Sequence, residues 1–476
     1  MTQSLKAAIR VLLRQPVFAP LFGWLLGRRL RLLYDSDAPD ALTVLVFSEL
    51  RWRQDLTALA RAGGLRLYGI DHSLQRRISS LFAVPGKTLH TDYFSETDSE
   101  VLRMRTLQAR FVARLVPALH RRMAFDCAIT PTVHYREEHP WAEGFDKAGL
   151  PFVALHKEFT VLDERHLPER IQRFRGRRQR FLGSHVCVTN SMARRLFIES
   201  GVFPGDRIST VGLLRMDNLL SRDRTPVDRP TRPAERDRSV VTLFSFGHIS
   251  GGITATQWRS HYFSMHDEIG FVELFRNVHV AFAELALRHP EVTFKIKPKN
   301  VEDWWICEIE AVVEQALGRS LDQIPNCSIV AEPAPALIAQ SCATIGFNST
   351  VLLESVAMGC NTIMPVFEEA IDAYPHNVYF PDFRDVFAIA GSKAEYMALI
   401  ERAIAGETLN HAPDARRAAL FRYYLGYDDG RTAERAAAVL HDIAARRRPP
   451  ISFAQDDVVD AEAPQHAPET LAAMKA

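Results

Sequence analysis

Asn348, Ser349 and Thr350 stand directly before Val351, Leu352, Val356 and Ala357, apolar residues that recur at helical spacing. Three cap-type residues followed by that pattern predict the first turn of a helix. Such a turn offers backbone N–H groups without intrahelical partners and the positive end of the helix dipole. A phosphate fits there, held by the Ser349 and Thr350 hydroxyls and amides, and Glu354, one turn further in, reaches a ribose hydroxyl. The same residues would equally cap an ordinary βαβ unit. On either side, 342–347 is a short apolar strand, Gly359 stops the helix, and 361–367 resumes an apolar strand closed by Pro365.

Further polar groups sit at the ends of other apolar runs. The run 240–252, VVTLFSFGHISGG, is a strand followed by Gly247, His248, Gly251 and Gly252. It is either a loop flexible enough to approach a donor phosphate or a plain glycine-rich turn. It lacks the G-K-S/T of a Walker loop and the spaced glycines of the dinucleotide fingerprint. The run 155–158, LHKE, closes another strand with an imidazole, an amine and a carboxylate, and Glu49 closes the first strand in FSELRW. Residues 170–180, RIQRFRGRRQR, concentrate arginine. Arg170, Arg173 and Arg177 there would bind phosphates of a lipid-linked acceptor or an anionic glycan, or form a solvated helix face.

The 341–367 segment resembles the donor-site signature of GT-B glycosyltransferases that build bacterial surface polysaccharides. It resembles especially the group that includes capsule-type Kdo transferases and CDP-glycerol glycerophosphotransferases. In that group a strand ends in an Asn/Ser/Ser-Thr turn, and a helix carrying a Glu follows and ends at a Gly. Asn348, Ser349, Thr350, Glu354 and Gly359 fill those places. Residues 207–217, RISTVGLLRMD, are similar to the family's strand followed by G-x-x-R-x-D at the end of the first domain. Residues 293–300, TFKIKPKN, are similar to its strand ending in Lys-Pro-His-Pro. Lys297 and Pro298 match, and Lys299 and Asn300 stand in place of His and Pro. Residues 427–435, YDDGRTAER, resemble the family's late Asp-Gly-x-Ala/Thr-x-x-Arg turn, and the likeness runs from about residue 44 to about residue 437.

The resemblance implies an α/β chain of two Rossmann-like domains facing a cleft (GT-B), with the donor in the second. Gly247, His248, Lys297, Asn348, Ser349, Thr350 and Glu354 would then bind a nucleotide-activated donor, CMP-, CDP- or UDP-linked. The strand end at LHKE would lie beside the acceptor, so that His156 or Glu158 is the candidate base, with Glu49 competing on the same geometry. The implied reaction moves a sugar, or a sugar-acid such as Kdo, to a surface glycan or lipid-linked acceptor. Glycerophosphate transfer from CDP-glycerol and a catalytically silent glycan-binding or scaffold protein of polysaccharide export are the alternatives. No D-x-D pair stands at the end of a predicted strand, so no metal is expected, and no cofactor beyond the donor itself.

The elements that must position these residues are legible as alternating strands and helices, the pattern of parallel sheets. Strands are predicted at 42–47, 65–70, 126–130, 152–155, 185–189 and 208–211 in the first half. The second half adds strands at 240–246, 293–297 and 327–331. Helices are predicted at 97–122, 191–200 and 270–288. The proline-rich, mixed-charge 222–238 reads as a linker. The expected divisions are a basic segment 1–34, an acceptor domain 35–221, a donor domain 239–410, helices 411–446 and a disordered tail 447–476 rich in Ala, Pro and acidic residues.

A chain of 476 residues exceeds one ordinary core, and 47% hydrophobic with 24% charged residues suits soluble globular domains. A formal net charge of +1 gives no case for a nucleic-acid partner. The six cysteines are scattered without a C-x-x-C pair, which predicts reduced thiols on the cytosolic side of a membrane. Charges from Lys6 to Arg31 are all basic and flank the apolar run 17–26. A signal-peptide cleavage site is absent, and the run is shorter than the ~20 residues that span a bilayer. It reads as an interfacial helix at the inner face of a bacterial inner membrane, or as a helix packed on the protein's own core.

Overall fold

The computed structural model describes residues 3–84, 97–158, 163–176, 180–220, 239–251, 253, 269–299 and 303–446. Arg177, Gly252, Asn300, the expected linker 222–238 and the expected tail 447–476 lie outside the described residues.

Two sheets organise the chain. The first is built from β1 (Arg31–Tyr34), β2 (Leu42–Val46), β3 (Leu65–Gly69), β4 (Cys127–Thr130), β5 (Phe152–Leu155), β6 (His185–Val188) and β7 (Ile208–Thr210), in the order β1-β3-β2-β4-β5-β6-β7. All its pairings are parallel except β1 with β3. The second contains β8 (Val240–Phe244), β9 (Thr293–Lys297), β10 (Cys327–Ile329), β11 (Ala343–Gly346), β12 (Asn361–Pro365) and β13 (Ala388–Ala390), all parallel, in the order β10-β9-β8-β11-β12-β13. Each sheet is wound from its middle outward in both directions, so each has one crossover point: between β2 and β4, and between β8 and β11. Ligands of open parallel sheets bind outside the carboxyl ends of the strands at such points.

Helices cover both faces of each sheet, which is why β4, β5, β8, β11 and β12 are buried throughout rather than alternating. On one face of the first sheet, Leu45, Phe47 and Phe152 pack with Phe111 and Leu115 of the helix Ser99–Arg122 and with Trp141 and Phe145 of the helix His139–Lys147. On the other face, Val44, Val46 and Leu67 meet Ala433, Ala436, Ala437 and Leu440 of the last described helix, Thr432–Ala445. The preceding helix, Asp414–Leu425, belongs to the second core through Leu420, Phe421 and Tyr424. The chain therefore crosses back, and its last helix completes the first domain.

Two strands escaped the sequence reading. Residues 31–34 were grouped with the basic segment, yet Arg31–Tyr34 is the outer strand of the first sheet. The helix Ala19–Gly27 is likewise part of that domain: Ala19, Gly23 and Leu26 are buried, and a side chain at Gly23 would strike the Leu115 carbonyl. The apolar face on its far side stays exposed at Leu21 and Trp24. The other missed strand, Ala388–Ala390, has three small apolar residues and no periodic signal. No described helix is long and apolar enough to cross a membrane. None of the six cysteines forms a disulfide, and all but Cys307 are buried.

Candidate site between the two sheets

At the second crossover point, β8 leads into Ser245, Phe246, Gly247 and His248, and β11 leads into Phe347 and Asn348. Asn348 has a left-handed backbone (φ 47°), a conformation that asparagine tolerates better than most side chains. Its amide nitrogen donates to the Asn377 carbonyl at 3.0 Å and to Ser250 Oγ at 3.3 Å, while its amide oxygen accepts from Tyr379 N at 2.8 Å. Asn377 returns a bond to the Gly251 carbonyl at 2.9 Å, and Gly251 (φ 69°) has no space for a side chain between Asn377 and Asn348. Asn348 thus clamps three loops around the first turn of the helix Val351–Ala357. The expected direct donor ligand is engaged in this conformation as a structural knot.

Ser349 Oγ accepts from Val351 N at 3.3 Å, a local turn bond, while Thr350 at the N-cap makes no side-chain capping bond. His248 is buried, and its carbonyl accepts from Phe271 N at 2.8 Å. Gly247 lies against the Trp305 ring, whose N–H donates to Ser245 Oγ at 3.1 Å. Lys297 closes β9 beside β8, and its ammonium donates to the Pro298 carbonyl at 3.2 Å. Partial burial lowers its pKa.

The first domain reaches this turn through Arg215, in the short helix Leu214–Leu220 after β7. Its Nε donates to Glu354 Oε1 at 3.0 Å and its Nη2 to Thr350 Oγ1 at 3.4 Å. Its backbone N–H donates to Asp55 Oδ1 at 3.2 Å. Burial works to lower the Arg215 pKa, but Glu354 and Asp55 outweigh it and the net shift is upward, so the guanidinium is a fixed positive charge. Burial raises the carboxyl pKa of both Glu354 and Asp55 against the pull of Arg215. Glu354, expected on a ribose, is here the partner of Arg215.

Lys157, after β5, adds a second cation, with its pKa lowered by burial and supported upward by Glu158 and Asp55. Its ammonium donates to the Arg51 carbonyl. Residues that follow the carboxyl ends of β2, β5 and β7 therefore meet residues that follow β11. Glu158 is exposed beside this group and acts electrostatically on both Arg215 and Lys157.

His156 does not suit the role of base. Its ring is buried, Nδ1 lies 3.1 Å from Thr132 Oγ1 and 3.4 Å from Val133 N, and it packs edge-on to His134 and Phe197. Burial pushes its pKa down to about 3, far below a useful base at neutral pH. Glu49 is buried, with Oε1 paired to Arg31. Arg170 and Arg173 lie on the helix Leu167–Arg175, whose Leu167, Ile171 and Phe174 are buried. Arg170 is half-buried and acts on Tyr379, one of the three clamped loops, whereas Arg173 is exposed.

Arg215 and Asp217 carried a sequence signal, the G-x-x-R-x-D run, that was not translated into a site. The fold explains each position. Gly212 (φ 109°) faces Thr432, leaving no room for a side chain, Arg215 crosses to the second domain, and Asp217 accepts from Thr432 N at 3.0 Å and Ala433 N at 2.6 Å, capping the last helix. Asp55 and Lys157 had no comparable signal, because only the fold brings them to Arg215.

No protein-family model matches the chain, and no curated protein matches it. Among solved structures it is similar to UDP-GlcNAc 2-epimerase from Methanocaldococcus jannaschii, at 12% identity and a TM-score of 0.47, over 84% of this chain and 99% of that one. It is similar to UDP-GlcNAc 2-epimerase from Neisseria meningitidis at 11% identity and a TM-score of 0.44, over 84% and 100% of the two chains. A UDP-forming trehalose-phosphate synthase from Burkholderia vietnamiensis gives 12% identity and a TM-score of 0.43, over 84% and 100%.

Proposed function

We propose that this chain transfers a sugar or sugar-acid from a nucleotide-activated donor to a hydroxyl of a bacterial surface glycan or a lipid-linked acceptor. The observation that carries this reading is the meeting of Arg215 with Thr350 and Glu354 at the second crossover point. It puts a permanent cation from one domain against the polar helix start of the other. In this reading the donor phosphates lie against Ser349, Thr350 and Arg215, with Lys297 on the neighbouring strand. The acceptor hydroxyl attacks the anomeric carbon, and the negative charge that develops on the departing phosphate is stabilised by cations already in place. Glu158, next to Lys157, takes the acceptor proton. A ribose contact by Glu354 requires that it first release Arg215. The basic N-terminal helices, with their exposed Leu12, Leu21 and Trp24, suit attachment to an anionic membrane surface where such acceptors lie.

A thermal-shift screen of CMP, CDP, UDP and GDP tests the reading, because a ligand that binds only the folded state raises its melting temperature. Ser349→Ala with Thr350→Ala is expected to weaken the responding nucleotide by about 1–3 kcal/mol, the scale of hydrogen bonds to a charged group. No response to any nucleotide, or an unchanged affinity in the folded double variant, removes the donor site and the function with it.

A further inference from the structure

A cleft of about 420 Å³ opens at the carboxyl ends of β2 and β3, and the turn Ser48–Arg51 forms one of its walls. Behind that turn, at the first crossover point, lies Glu138, a buried carboxyl that the site between the two sheets does not use. Its Oε1 accepts from Ser48 Oγ, at the start of the turn, and its Oε2 accepts from Thr130 Oγ1, the last residue of β4. Ser48 therefore stands between a buried acid and the cleft.

The turn is held from three sides. Ser48 has a left-handed backbone (φ 48°), a region costly for a residue with a side chain, and its bond to Glu138 keeps it there. Arg51 stacks over the Tyr135 ring at 4.2 Å and lies 3.1 Å from Glu137. The Arg51 carbonyl accepts from Lys157, the second cation beside Arg215. Opening of the turn releases all three, so the state of Glu138 is tied to the position of Lys157.

The surroundings decide which form of Glu138 suits the closed turn. Burial disfavours its charge and Glu137 adds to that, whereas the Ser48 and Thr130 bonds and Arg51 favour it; burial wins, and the pKa is pushed up to about 7. Tyr135, in the same segment, is a neutral phenol, its own pKa pushed up to about 12 by burial. Glu49, the other acid of the turn, is paired with Arg31, and His139, at the start of the next helix, has Nε2 2.6 Å from the Val133 carbonyl. Thr130, from β4, carries no charge. Arg51 is already shared between Glu137 and Tyr135, so it is no full counter-charge for Glu138. An ionised Glu138 is relieved by water, and the cleft beyond Ser48 is where water can enter.

We propose that Glu138 is a proton-operated catch on the turn Ser48–Arg51: with its proton it keeps the turn shut, and on ionisation the turn opens toward the cleft, the carboxylate is hydrated and Lys157 loses its carbonyl partner. A neutral carboxyl still bonds both hydroxyls, accepting from one and donating to the other, so the proton changes no partner. What changes is the cost of keeping a charge away from water. The catch stands without the transferase reading; only its consequence for transfer, a cation displaced from beside Arg215, rests on it.

The test is hydrogen exchange of the full chain, read at the amides of Arg51 and Trp52, which donate to the Ser48 and Glu49 carbonyls at 2.9 and 3.2 Å. No substrate is needed. With a carboxyl that titrates at about 7 in the closed turn and about 4.5 in the open one, protection corrected for the intrinsic rate is expected to fall about tenfold from about pH 6 to about pH 8. Glu138→Gln is expected to keep its protection within about twofold over that range. Ser48→Gly accepts the left-handed backbone and removes a bond that favours the ion, so its fall is expected to be steeper than that of the wild type. It is the second variant should Glu138→Gln fail to fold. Protection that ignores pH in the wild type, an equal fall in Glu138→Gln, or no steeper fall in Ser48→Gly overturns the catch. An equal fall at the amides of β4 and β5 makes the effect a loss of whole-domain stability and overturns it too. If the expected pattern is found while no nucleotide shifts the melting temperature, the transferase reading falls and the catch stands.

Discussion

Replacing Arg215 by Met removes the positive half of an ion pair whose side chains are only 18% and 8% exposed. Leaving one partner of such a pair behind costs roughly 3–5 kcal/mol. The structure sets a ceiling on that cost, because Glu354 can escape it by taking up a proton. From the ordinary glutamate value of 4.5, protonation at about pH 7.5 costs 3 units at about 1.36 kcal/mol each, or ~4 kcal/mol. At about pH 5.5 the same step costs ~1.4 kcal/mol. The sign follows from the direction of the shift. Burial has already raised the folded-state pKa of Glu354, and removing Arg215 raises it further. The folded variant then holds a proton that the unfolded chain loses above about pH 4.5, so its stability declines as pH rises.

Through Glu354 alone, Arg215→Met is therefore expected to lose up to ~4 kcal/mol at about pH 7.5 and up to ~1.4 kcal/mol at about pH 5.5, with buried Asp55, the other carboxylate beside Arg215, adding to the loss, read by urea denaturation. Adding Glu354→Gln is expected to restore part of the loss and to flatten its pH dependence. A double-variant cycle should give a coupling of about 1–3 kcal/mol. Additive single effects, or a loss that grows on acidification, would refute the claim that this pair joins the two domains.

The same logic predicts that Glu138, whose pKa burial pushes up to about 7, makes the wild type lose about 3 kcal/mol relative to Glu138→Gln between pH 4.5 and pH 7. A parallel pH dependence of the two proteins would show that Glu138 is ionised within the fold. Asn348→Ala and Asn348→Gly both lose three hydrogen bonds, but only Ala keeps a side chain in the left-handed region. The Ala variant should be about 1 kcal/mol less stable, and the reverse order would remove the backbone argument. Once a donor is identified, Glu158→Gln should lower turnover by about 100-fold with donor affinity retained, and wild-type turnover would move the base elsewhere.

The sheets were legible because their strands are buried on both faces and therefore appear as uninterrupted apolar runs at regular intervals. All eleven strands expected from the sequence lie where they were anticipated, to within one or two residues at their ends. The two that were missed are short edge strands. Arg31–Tyr34 begins within a run of arginines that marks the segment as basic, and Ala388–Ala390 has too few residues to show a period. The site was legible only along the chain. The stretch Asn348 to Thr350 stands out because its polar residues are consecutive, with Glu354 one turn on, whereas Asp55, Lys157 and Arg215 come together from three separate strand ends. His156 shows the opposite error: its place at a strand end was readable, but its enclosure by Thr132, His134 and Phe197 was not.

The run from Gly212 to Asp217 shows how packing ties domain position to the site. Asp217 and Gly212 are fixed to the start of the last helix, which packs on the first sheet, and Arg435 of that helix donates to the Val211 carbonyl at 2.9 Å. These bonds stay within one domain, so they persist however the two sheets move. The bonds from Arg215 to Glu354 and Thr350 leave that domain and hold only while the sheets are close. Leu213 and Met216 of the same run pack in the second core, so the run is held by both domains. Separation of the domains would have to break that packing before it withdrew the cation from the helix start and stranded Glu354. Under the proposed function, closure would return a fixed positive charge to the helix start against which the departing phosphate is placed.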